Sequence, residues 1–390
     1  VLMKIAIINT LYAPNKVGGA EKSVQTLAEN FSDLGNEVIV ICLGKEDANY
    51  KLNGVIIHAV KIKNDFWPFE INNKNSFHKL IWHLKDASNN KYNDFLHHLF
   101  LDYKPDVLLT NNISGFSTKV WRIASNLNIK IVHTLRDYYL QCPKSTKFKN
   151  GLNCTNLCND CNFLSTPKKK DSSKVNYLIG ISNYILSDHI DKGYFKGVQN
   201  EVIFNGFETQ KKSINSREVT NVFGFIGQVN KTKGIELILE SFSNLSESSW
   251  KLLIAGTVDE KYLKHLNKIN NSIQIEYLGY VDSSKFFEMI DVLIVPSLWN
   301  EPFGRVVIES ILHSKPVIAS NVGGIPELLI NNKQFVFRPK VKELRTLIQK
   351  IILNSNFLDE FKFEKTYLEK FNIKNTVQQY LELFNKIIRN

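Results

Sequence analysis

The sequence has little proline and glycine, few cysteines and no long hydrophobic run. Its 390 residues include 10 Pro, 19 Gly and 5 Cys, which excludes collagen-like, coiled-coil and wholly disordered chains. The longest charge-free run, Val175 to Ser187, is shorter than the roughly 18 apolar residues that a membrane-spanning helix needs. The apolar residues near the start lack a small-residue cleavage site, so they predict a buried strand rather than a secretory signal. We therefore expect a cytoplasmic protein of two domains.

The formal net charge is +11, and most of the excess lies in the first half of the chain, where 25 Lys and Arg face 17 Asp and Glu over residues 1–200. Basic surfaces favour polyanions such as nucleic acids, anionic lipids and phosphate-bearing substrates. No zinc-finger spacing and no aromatic RNP-like strand accompanies the charge, so nucleic acid is not expected as a partner. An anionic membrane surface and a merely solvated Lys-rich surface stay open as alternatives.

Short Ile- and Val-rich runs alternate with segments of helical period along most of the chain. Such runs are typical of parallel strands that are covered by helices on both faces. The alternation breaks once, at the polar stretch 208–221, and restarts at Val222. The sequence therefore predicts an α/β fold with two Rossmann-like domains, residues 1–205 and 206–371, that face each other across a cleft. We expect a C-terminal helix, about 372–390, to pack back on the first domain.

The most informative segment, residues 296–328, has the sequence PSLWNEPFGRVVIESILHSKPVIASNVGGIPEL. A strand is expected to end at Pro296, and Pro302 is expected to open a helix. Free backbone N–H groups near Phe303, Gly304 and Arg305 would then form a positive helix end that suits a phosphate. Two carboxylates seven residues apart, Glu301 and Glu309, are placed to hydrogen-bond sugar hydroxyls on either side of that phosphate.

This segment resembles the E-x7-E signature of retaining glycosyltransferases of the GT-B fold, and the whole chain resembles glycosyltransferase family 4. The resemblance implies that Glu301 contacts the hydroxyls of the donor sugar and that Glu309 binds the ribose of the nucleotide. It implies a metal-independent hexosyltransferase that moves a sugar from a nucleoside diphosphate-sugar to an acceptor hydroxyl. It also implies no cofactor for catalysis.

Other segments agree with this resemblance. Gly19 lies in a glycine pair before the first helix and resembles the N-terminal glycine loop of the family. Residues 227–234 resemble its G-R-x4-K-G loop, in which Lys233 would bind the diphosphate. The usual Arg of that loop is Gln228 here, so either Lys233 and Arg305 supply more of the charge or Lys231 substitutes for it. Tyr280 lies in a segment that resembles the loop holding the base, although a plain strand end is an alternative.

The segment that follows the strand 130–134 faces the expected cleft. Where the family usually has His-Asp, this chain has Arg136 and Asp137, and His133 lies three residues earlier. An arginine cannot act as a general base, so Arg136 would orient the acceptor or a donor phosphate. Asp137 would fix the guanidinium or contact the acceptor. A competing hypothesis is that His133 takes over the role of the usual histidine. The alternative is that His133, within an apolar strand, is a structural histidine buried in the core.

Four of the five cysteines, Cys142, Cys154, Cys158 and Cys161, form a C-x11-C-x3-C-x2-C run. In a cytoplasmic protein this spacing favours a structural zinc site, with disulfides or free thiols as the alternatives. The surrounding segment, residues 142–174, is basic and includes Lys168, Lys169 and Lys170, which are placed to meet an anionic leaflet on the inner face of the cell membrane.

The resemblance also implies the acceptor, which we expect to be a glycan or lipid-linked intermediate in the synthesis of capsule, O-antigen, glycolipid or another envelope polysaccharide. Other classes were weighed against a transferase. No G-x-G-x-x-G motif follows an expected strand, which argues against a dinucleotide oxidoreductase. The sequence also contains no Asp-x-Asp motif, which argues against a GT-A transferase. A GT-B epimerase or phosphorylase and an inactive nucleotide-sugar-binding partner subunit stay open as alternatives.

Overall fold

The computed structural model of the protein describes residues 2–15, 18–67, 76–208, 220–243, 245 and 250–389. The chain forms two compact units, of which unit 1 consists of Val1–Lys147, Thr155–Glu208 and Lys370–Asn390. Unit 2 consists of Phe148–Cys154 and Thr209–Glu369. Most of the polar linker that the sequence predicted, residues 209–219, lies outside the described residues.

The strands are short, and the central strands of the two main sheets are buried, whereas several strands at the sheet edges are exposed or half-buried. In chain order they are β1 (Lys4–Ile8), β2 (Glu37–Gly44), β3 (Ala48–Leu52), β4 (Val55–Lys61), β5 (Val107–Thr110), β6 (Lys130–Leu135), β7 (Phe148–Lys149), β8 (Leu152–Asn153), β9 (Tyr177–Gly180), β10 (Gln199–Val202), β11 (Val222–Ile226), β12 (Lys251–Ala255), β13 (Ile275–Gly279), β14 (Val292–Val295), β15 (Val317–Ser320) and β16 (Val336–Phe337).

The helices alternate with these strands. In chain order they are α1 (Gly19–Asp33), α2 (Ser76–Ala87), α3 (Asn93–Tyr103), α4 (Lys119–Asn126), α5 (Asn159–Asp171), α6 (Asn183–Asp191), α7 (Ile235–Phe242), α8 (Glu260–Ile269), α9 (Ser283–Met289), α10 (Arg305–Leu312), α11 (Ile325–Leu328), α12 (Val341–Leu353), α13 (Lys365–Leu368) and α14 (Ile373–Arg389). In the part of the chain that the structure describes, no helix has both the length and the apolar composition needed to cross a bilayer.

The sheet of unit 1 has the strand order β10-β9-β6-β5-β1-β2-β4-β3. Its pairings are parallel apart from the edge strand β3, which runs antiparallel to β4 and which the sequence did not predict. The apolar sequence of β1 explains why it lies in the middle of the sheet. Ile5 and Ile7 are fully buried on one face, and Ala6 and Ile8 are fully buried on the other. A strand without a polar face is stable only when both faces are covered.

Helix α1 shows how the sequence sets the packing of unit 1. Its apolar residues Val24, Leu27 and Phe31 recur at helical spacing and are buried. The C-terminal helix α14 packs on the same core, where the ring of Phe31 lies 6.1 Å from that of Tyr380 and 5.7 Å from that of Phe384. Helix α14 therefore belongs to the core of unit 1.

The main sheet of unit 2 is parallel throughout, with the order β13-β12-β11-β14-β15-β16. Strands β11 and β14 are neighbours, so the loops at their carboxyl ends come out side by side. Strands β7 and β8 form a small antiparallel hairpin. The predicted division of the chain left this hairpin in the first domain, which is wrong, because residues 148–154 make their contacts within unit 2.

Candidate functional site

Glu301 and Lys233 form an ion pair at the carboxyl edge of the unit 2 sheet. Lys233 follows β11 and Glu301 follows β14, and the lysine Nζ lies 2.9 Å from the glutamate Oε1. The side chain of Glu301 is buried, and Ser297 Oγ donates a second hydrogen bond to the same oxygen. The structure therefore brings together the two residues to which the family resemblance gives the donor sugar and the diphosphate.

Glycines hold the backbone of this pair close to neighbouring loops. Gly323 has φ +57°, and a Cβ there would lie 2.2 Å from the carbonyl oxygen of Glu301. The next N–H, of Gly324, donates to that oxygen at 2.8 Å. On the other loop, Gly234 has φ +75° and approaches the carbonyl of Pro296 so closely that a Cβ would lie 2.0 Å away. Both positions demand glycine for reasons of space and of backbone conformation.

Helix α10 begins at Arg305, three residues later than the sequence predicted. Gly304 has φ +102°, which ends the loop in a left-handed turn, and Phe303 is buried beneath it. The prediction that Pro302 opens the helix is therefore wrong, and Glu309 lies one turn into the helix rather than two. The N–H groups of the first turn still give this end a partial positive charge.

Arg305 and Glu309 form an i,i+4 ion pair on α10. The Nε of Arg305 donates to Glu309 Oε1 at 2.9 Å, and both side chains are mostly buried. Burial lowers the pKa of Arg305 whereas Glu309 raises it, and a guanidinium stays charged at any working pH. Arg305 thus adds a positive charge at the start of the helix and orients the Glu309 carboxylate.

The remaining donor-side residues are more exposed. Gln228 follows β11, and its Oε1 accepts a 3.3 Å hydrogen bond from the side-chain amide of Asn230. Tyr280 follows β13 and is 85% exposed. The ammonium of Lys231 is exposed and lies 3.9 Å from the carboxylate of Glu236, whereas that of Lys233 is directed to Glu301. Which of these cations makes up for Gln228, Lys233 with Arg305 or Lys231, stays a prediction.

Asn153 is a site residue that the sequence did not predict. It ends the β7–β8 hairpin, its Nδ2 donates to the carbonyl of Leu298 at 2.7 Å, and its Oδ1 accepts from the N–H of Asn300 at 2.8 Å. Both partners precede Glu301 in the loop after β14. The contact joins residues about 150 positions apart, so no local pattern signals it.

In unit 1, two asparagines hold the guanidinium of Arg136. Its Nε donates to Asn111 Oδ1 at 2.7 Å and its Nη1 donates to Asn205 Oδ1, and the side chain is buried. Asp137, to which the sequence gave the role of fixing the guanidinium or contacting the acceptor, accepts a 2.8 Å hydrogen bond from the N–H of Tyr139. Burial raises the pKa of Asp137 to about 6.

His133 is buried in the core behind this segment. Its Nδ1 lies 2.9 Å from Thr110 Oγ1, and its ring stacks on Phe195 and meets Trp121 edge-on. Burial lowers its pKa to about 3, so the imidazole is neutral at any working pH. These contacts are those of a structural histidine, which is one of the two alternatives that the sequence left open for His133.

Gly19 is the first residue of α1, whereas the sequence placed it just before this helix. The N–H of the preceding residue, Gly18, donates to the carboxylate of Glu21 at 2.9 Å. Glu21 is 8% exposed. This glutamate caps the helix and leaves the rest of its carboxylate at the carboxyl edge of the unit 1 sheet.

Three of the four clustered cysteines are close together in unit 1. Hydrogen bonds link the thiol of Cys161 to Cys142 and to Cys158, and the bond to Cys161 lowers the pKa of Cys142 to about 6. Cys154 belongs to the hairpin of unit 2. Among the described residues, no group of three His, Cys, Asp or Glu side chains is arranged to hold a metal ion. The four-cysteine zinc site therefore stays a prediction, which elemental analysis of unchelated protein can test.

Models of glycosyltransferase families match both halves of the chain. Residues 17–211 match the family model described as Glycosyltransferase Family 4, and residues 206–366 match the model described as Glycosyl transferases group 1. An uncharacterized 42.6 kDa protein in the cps region of Klebsiella pneumoniae is 32% identical over 384 residues, 98% of this chain and 100% of that protein. An uncharacterized glycosyltransferase of Methanocaldococcus jannaschii is 25% identical over 84% of this chain and 83% of its own.

Solved structures with the same fold include sucrose-phosphate synthase from Thermosynechococcus elongatus, with a TM-score of 0.78, 18% identity and 99% of both chains covered. Anabaena HepE in complex with UDP and glucose has a TM-score of 0.71 and 17% identity, over 98% of this chain and 100% of its own. At such identities the likeness concerns the fold. The predicted α/β fold of GT-B type, with two Rossmann-like domains, is confirmed.

Proposed function

The chain belongs to glycosyltransferase family 4, and on this premise we propose that it transfers a sugar from a nucleoside diphosphate-sugar to an acceptor hydroxyl with retention of configuration at the anomeric carbon. The observation that carries the proposal is the Lys233–Glu301 ion pair beside the N-terminus of α10. It combines a cation, a positive helix end and a buried carboxylate, which are the groups that a diphosphate and its sugar require.

Lys233, Arg305 and the N–H groups that open α10 bind the diphosphate as it leaves. The bond from the anomeric carbon to the diphosphate oxygen breaks while the acceptor oxygen bonds to that carbon, and the acceptor proton passes to the leaving diphosphate. Negative charge grows on the diphosphate during this step, so fixed positive groups stabilise the transition state more than the ground state. We propose that this electrostatic stabilisation operates without a metal ion.

Glu301 binds hydroxyls of the donor sugar, and Ser297 keeps its carboxylate in place. Glu309 binds the ribose, with Arg305 orienting it through their 2.9 Å contact. Correct placement of the sugar can lower a reaction barrier by several kcal/mol, since it removes the cost of orienting the reactants. Supporting the nucleotide assignment, structures of Anabaena HepE hold UDP and UDP-glucose.

The proposed biological role is the synthesis of a capsule or another envelope polysaccharide. Two Klebsiella relatives are described as proteins in a cps region, and a Staphylococcus aureus relative, CapM, as a capsular polysaccharide biosynthesis glycosyltransferase. CapM is 26% identical over 40% of this chain and 44% of its own. These names support a role in polysaccharide synthesis. They do not identify the acceptor, which has to be inferred from the residues of the site.

We further propose a peripheral association with an anionic membrane surface. One face of α2 exposes Phe77, Leu80 and Leu84, which are 67%, 42% and 40% exposed. Of the lysine triplet that the sequence placed at the membrane, Lys168 is buried, so that part of the prediction is wrong. Flotation with liposomes tests the association: binding that neither anionic lipid content nor salt changes would contradict its electrostatic part.

Incubation of the purified protein with UDP-, GDP- and ADP-sugars tests the proposed reaction. A transferase releases free nucleoside diphosphate when an acceptor is present, and the anomeric configuration of the product follows from NMR. An epimerase would instead convert the donor sugar, and an inactive partner subunit would bind the donor without turnover. An inverted product would contradict the retaining mechanism.

A further inference from the structure

A cavity of about 360 Å³ opens in unit 1 at the carboxyl ends of its central strands. It is lined by Thr10 after β1, by Asn112 and Ser114 after β5, and by Asp137 after β6. These strands are neighbours in the sheet. The volume is within the range of small-molecule sites, and the carboxyl edge of a parallel sheet is where such sites form. We call this cavity the unit 1 pocket.

Two carboxylates line the unit 1 pocket. Glu21 is buried and Asp137 is half-buried, and each accepts one backbone N–H, from Gly18 and Tyr139 respectively. A carboxylate has room for further hydrogen bonds beyond one such contact. Two acids in the lining of one pocket are therefore suited to accept hydrogen bonds from the hydroxyl groups of a sugar.

Helix α2 provides an aromatic wall. Trp82 and Phe66 both line the unit 1 pocket, and the indole N–H of Trp82 donates to the carbonyl of Phe66 at 3.1 Å. That bond fixes the orientation of the ring and satisfies its only polar atom. Trp82 is 3% exposed, so the half-buried ring of Phe66 offers most of the accessible aromatic surface. Such a surface packs against the apolar C–H face of a pyranose ring.

Two lysines complete the lining, and both are exposed. Lys79 lies on the same face of α2 as Trp82 and His83, three and four residues earlier, and Lys144 comes from the loop after β6. Within the described part of the chain, neither ammonium has an ion-pair partner. Burial, together with the charges of Lys168 and Lys144, lowers the pKa of His83 to about 4. His83 is therefore neutral at working pH, and the positive charge on this side of the pocket comes from the lysines.

We propose that the unit 1 pocket binds an acceptor in which a sugar is joined to a phosphate or diphosphate group. Asp137 and Glu21 bind the sugar hydroxyls, and Lys79 and Lys144 bind the phosphate. Phe66, which Trp82 holds through its indole N–H, packs on the sugar ring. Lysine serves as a compact point charge for phosphate, and a neutral glycan would leave both ammonium groups without a partner. The inference rests on the proposed transfer reaction and adds the chemical class of its acceptor.

Ligand-observed NMR on the full-length protein tests the proposal with glucose 1-phosphate, galactose 1-phosphate and N-acetylglucosamine 1-phosphate against the matching methyl glycosides. Because a sugar phosphate also resembles part of the donor, the comparison is made in the Lys233→Met variant. We expect at least one sugar phosphate to bind about tenfold more tightly than its methyl glycoside. The Lys79→Met/Lys144→Met double variant should lose that preference, and Lys85→Met, which changes a lysine of α2 outside the pocket lining, should keep it.

Equal binding of phosphates and glycosides, or a preference that survives in the double variant, would overturn the proposal. Loss of all sugar phosphate binding in Lys233→Met alone would also overturn it, because the phosphate would then belong to unit 2. Failure of the transfer reaction is a separate result, since it appears as an absence of nucleoside diphosphate release by the wild-type protein, whether or not the donor binds. Addition of a ten-carbon alkyl chain to the phosphate distinguishes the sources: tighter binding indicates a lipid-borne acceptor and unchanged binding a soluble one.

Discussion

The side chain of Asn153 accepts a 2.8 Å hydrogen bond from the backbone N–H of Asn300, the residue before Glu301. Its amide also donates to the carbonyl of Leu298 at 2.7 Å. One side chain thus fixes the loop on both sides of Trp299. Since Lys233 Nζ lies 5.5 Å from the centre of the Trp299 ring, the hairpin that carries Asn153 supports the whole ion-paired site.

Asn153→Ala is expected to lower kcat by about tenfold, because a small displacement of Glu301 weakens contacts made in the transition state. Asn153 acts as a positioning residue, so Tm should change little while kcat falls more than the acceptor KM rises. Lys149→Ala, an exposed change in the same hairpin, serves as the control. An Asn153→Ala enzyme with wild-type kcat would contradict the positioning role.

Glu301→Gln should reduce turnover by about ten- to thousandfold while the fold survives. The amide keeps the size of the side chain but loses the charge that pairs with Lys233 and the two-oxygen acceptor that sugar hydroxyls need. Steady-state kinetics with saturating donor and acceptor measure the change, and Glu260→Gln, at an exposed position on α8, is the matched control. Near wild-type transfer by Glu301→Gln would remove Glu301 from the mechanism.

Gly323→Ala tests the backbone contact that supports Glu301. A Cβ at Gly323 would lie 2.2 Å from the Glu301 carbonyl oxygen, so the loop must move, at a cost of about 1–3 kcal/mol. Gly197 also has a positive φ, +76°, but a Cβ there meets nothing within 4 Å. Gly197→Ala therefore shows the conformational cost alone, about 1 kcal/mol. We expect only Gly323→Ala to lose most of its activity, and equal kcat in the two variants would contradict this expectation.

The raised pKa of Asp137 predicts a pH dependence of stability. The folded carboxyl keeps its proton up to about pH 6, whereas an unfolded aspartate releases it near 3.9. The stabilisation is therefore fully present below about pH 4 and is lost as pH rises through 6. The Tm of the wild type relative to that of Asp137→Asn should fall between pH 4 and 7.

Ionisation of Asp137 should also affect how kcat/KM depends on pH. If ionised Asp137 binds an acceptor hydroxyl, kcat/KM rises with pH through about 6, and this limb is absent in Asp137→Asn. His83 and His133 do not account for such a limb, because their pKa values are lowered to about 4 and about 3. A limb that persists in Asp137→Asn would assign the titration to another group.

The sequence predicted those parts of the site that local patterns specify. Gly304, Arg305, Glu309 and the glycines after β15 all lie within the 33 residues 296–328, so their spacing along the chain was visible in the sequence. The start of α10 was misplaced because Pro302 suits a first helical turn, whereas the left-handed Gly304 delays the helix.

Contacts between distant segments could not be predicted in this way. The bond from Asn153 to Leu298 and that from Arg136 to Asn205 depend on which loops the fold brings together. Lys168 illustrates the same point. The next two lysines of the run are exposed, but the Nζ of Lys168 donates to the carbonyl of Tyr139 and lies over the Tyr139 ring. A run of lysines gives no sign of which one is buried.

Substitutions of Arg136 and of His133 are expected to differ clearly in their effects on kcat. Arg136→Ala leaves the buried amides of Asn111 and Asn205 without the guanidinium, so it should lower both Tm and kcat, and kcat by at least about a hundredfold if the charge orients a substrate. Arg136→Lys should restore activity only partly, because an ammonium cannot reproduce the fork that contacts both amides.

His133→Asn, in contrast, removes a neutral ring that packs between Trp121 and Phe195. It should lower Tm, by analogy with other losses of buried aromatic volume, and leave kcat per folded molecule close to that of the wild type. Activity is therefore measured on protein whose folded fraction is known from circular dichroism at the assay temperature. An inactive but folded His133→Asn enzyme, together with a nearly wild-type Arg136→Ala enzyme, would reverse the roles assigned to the two residues.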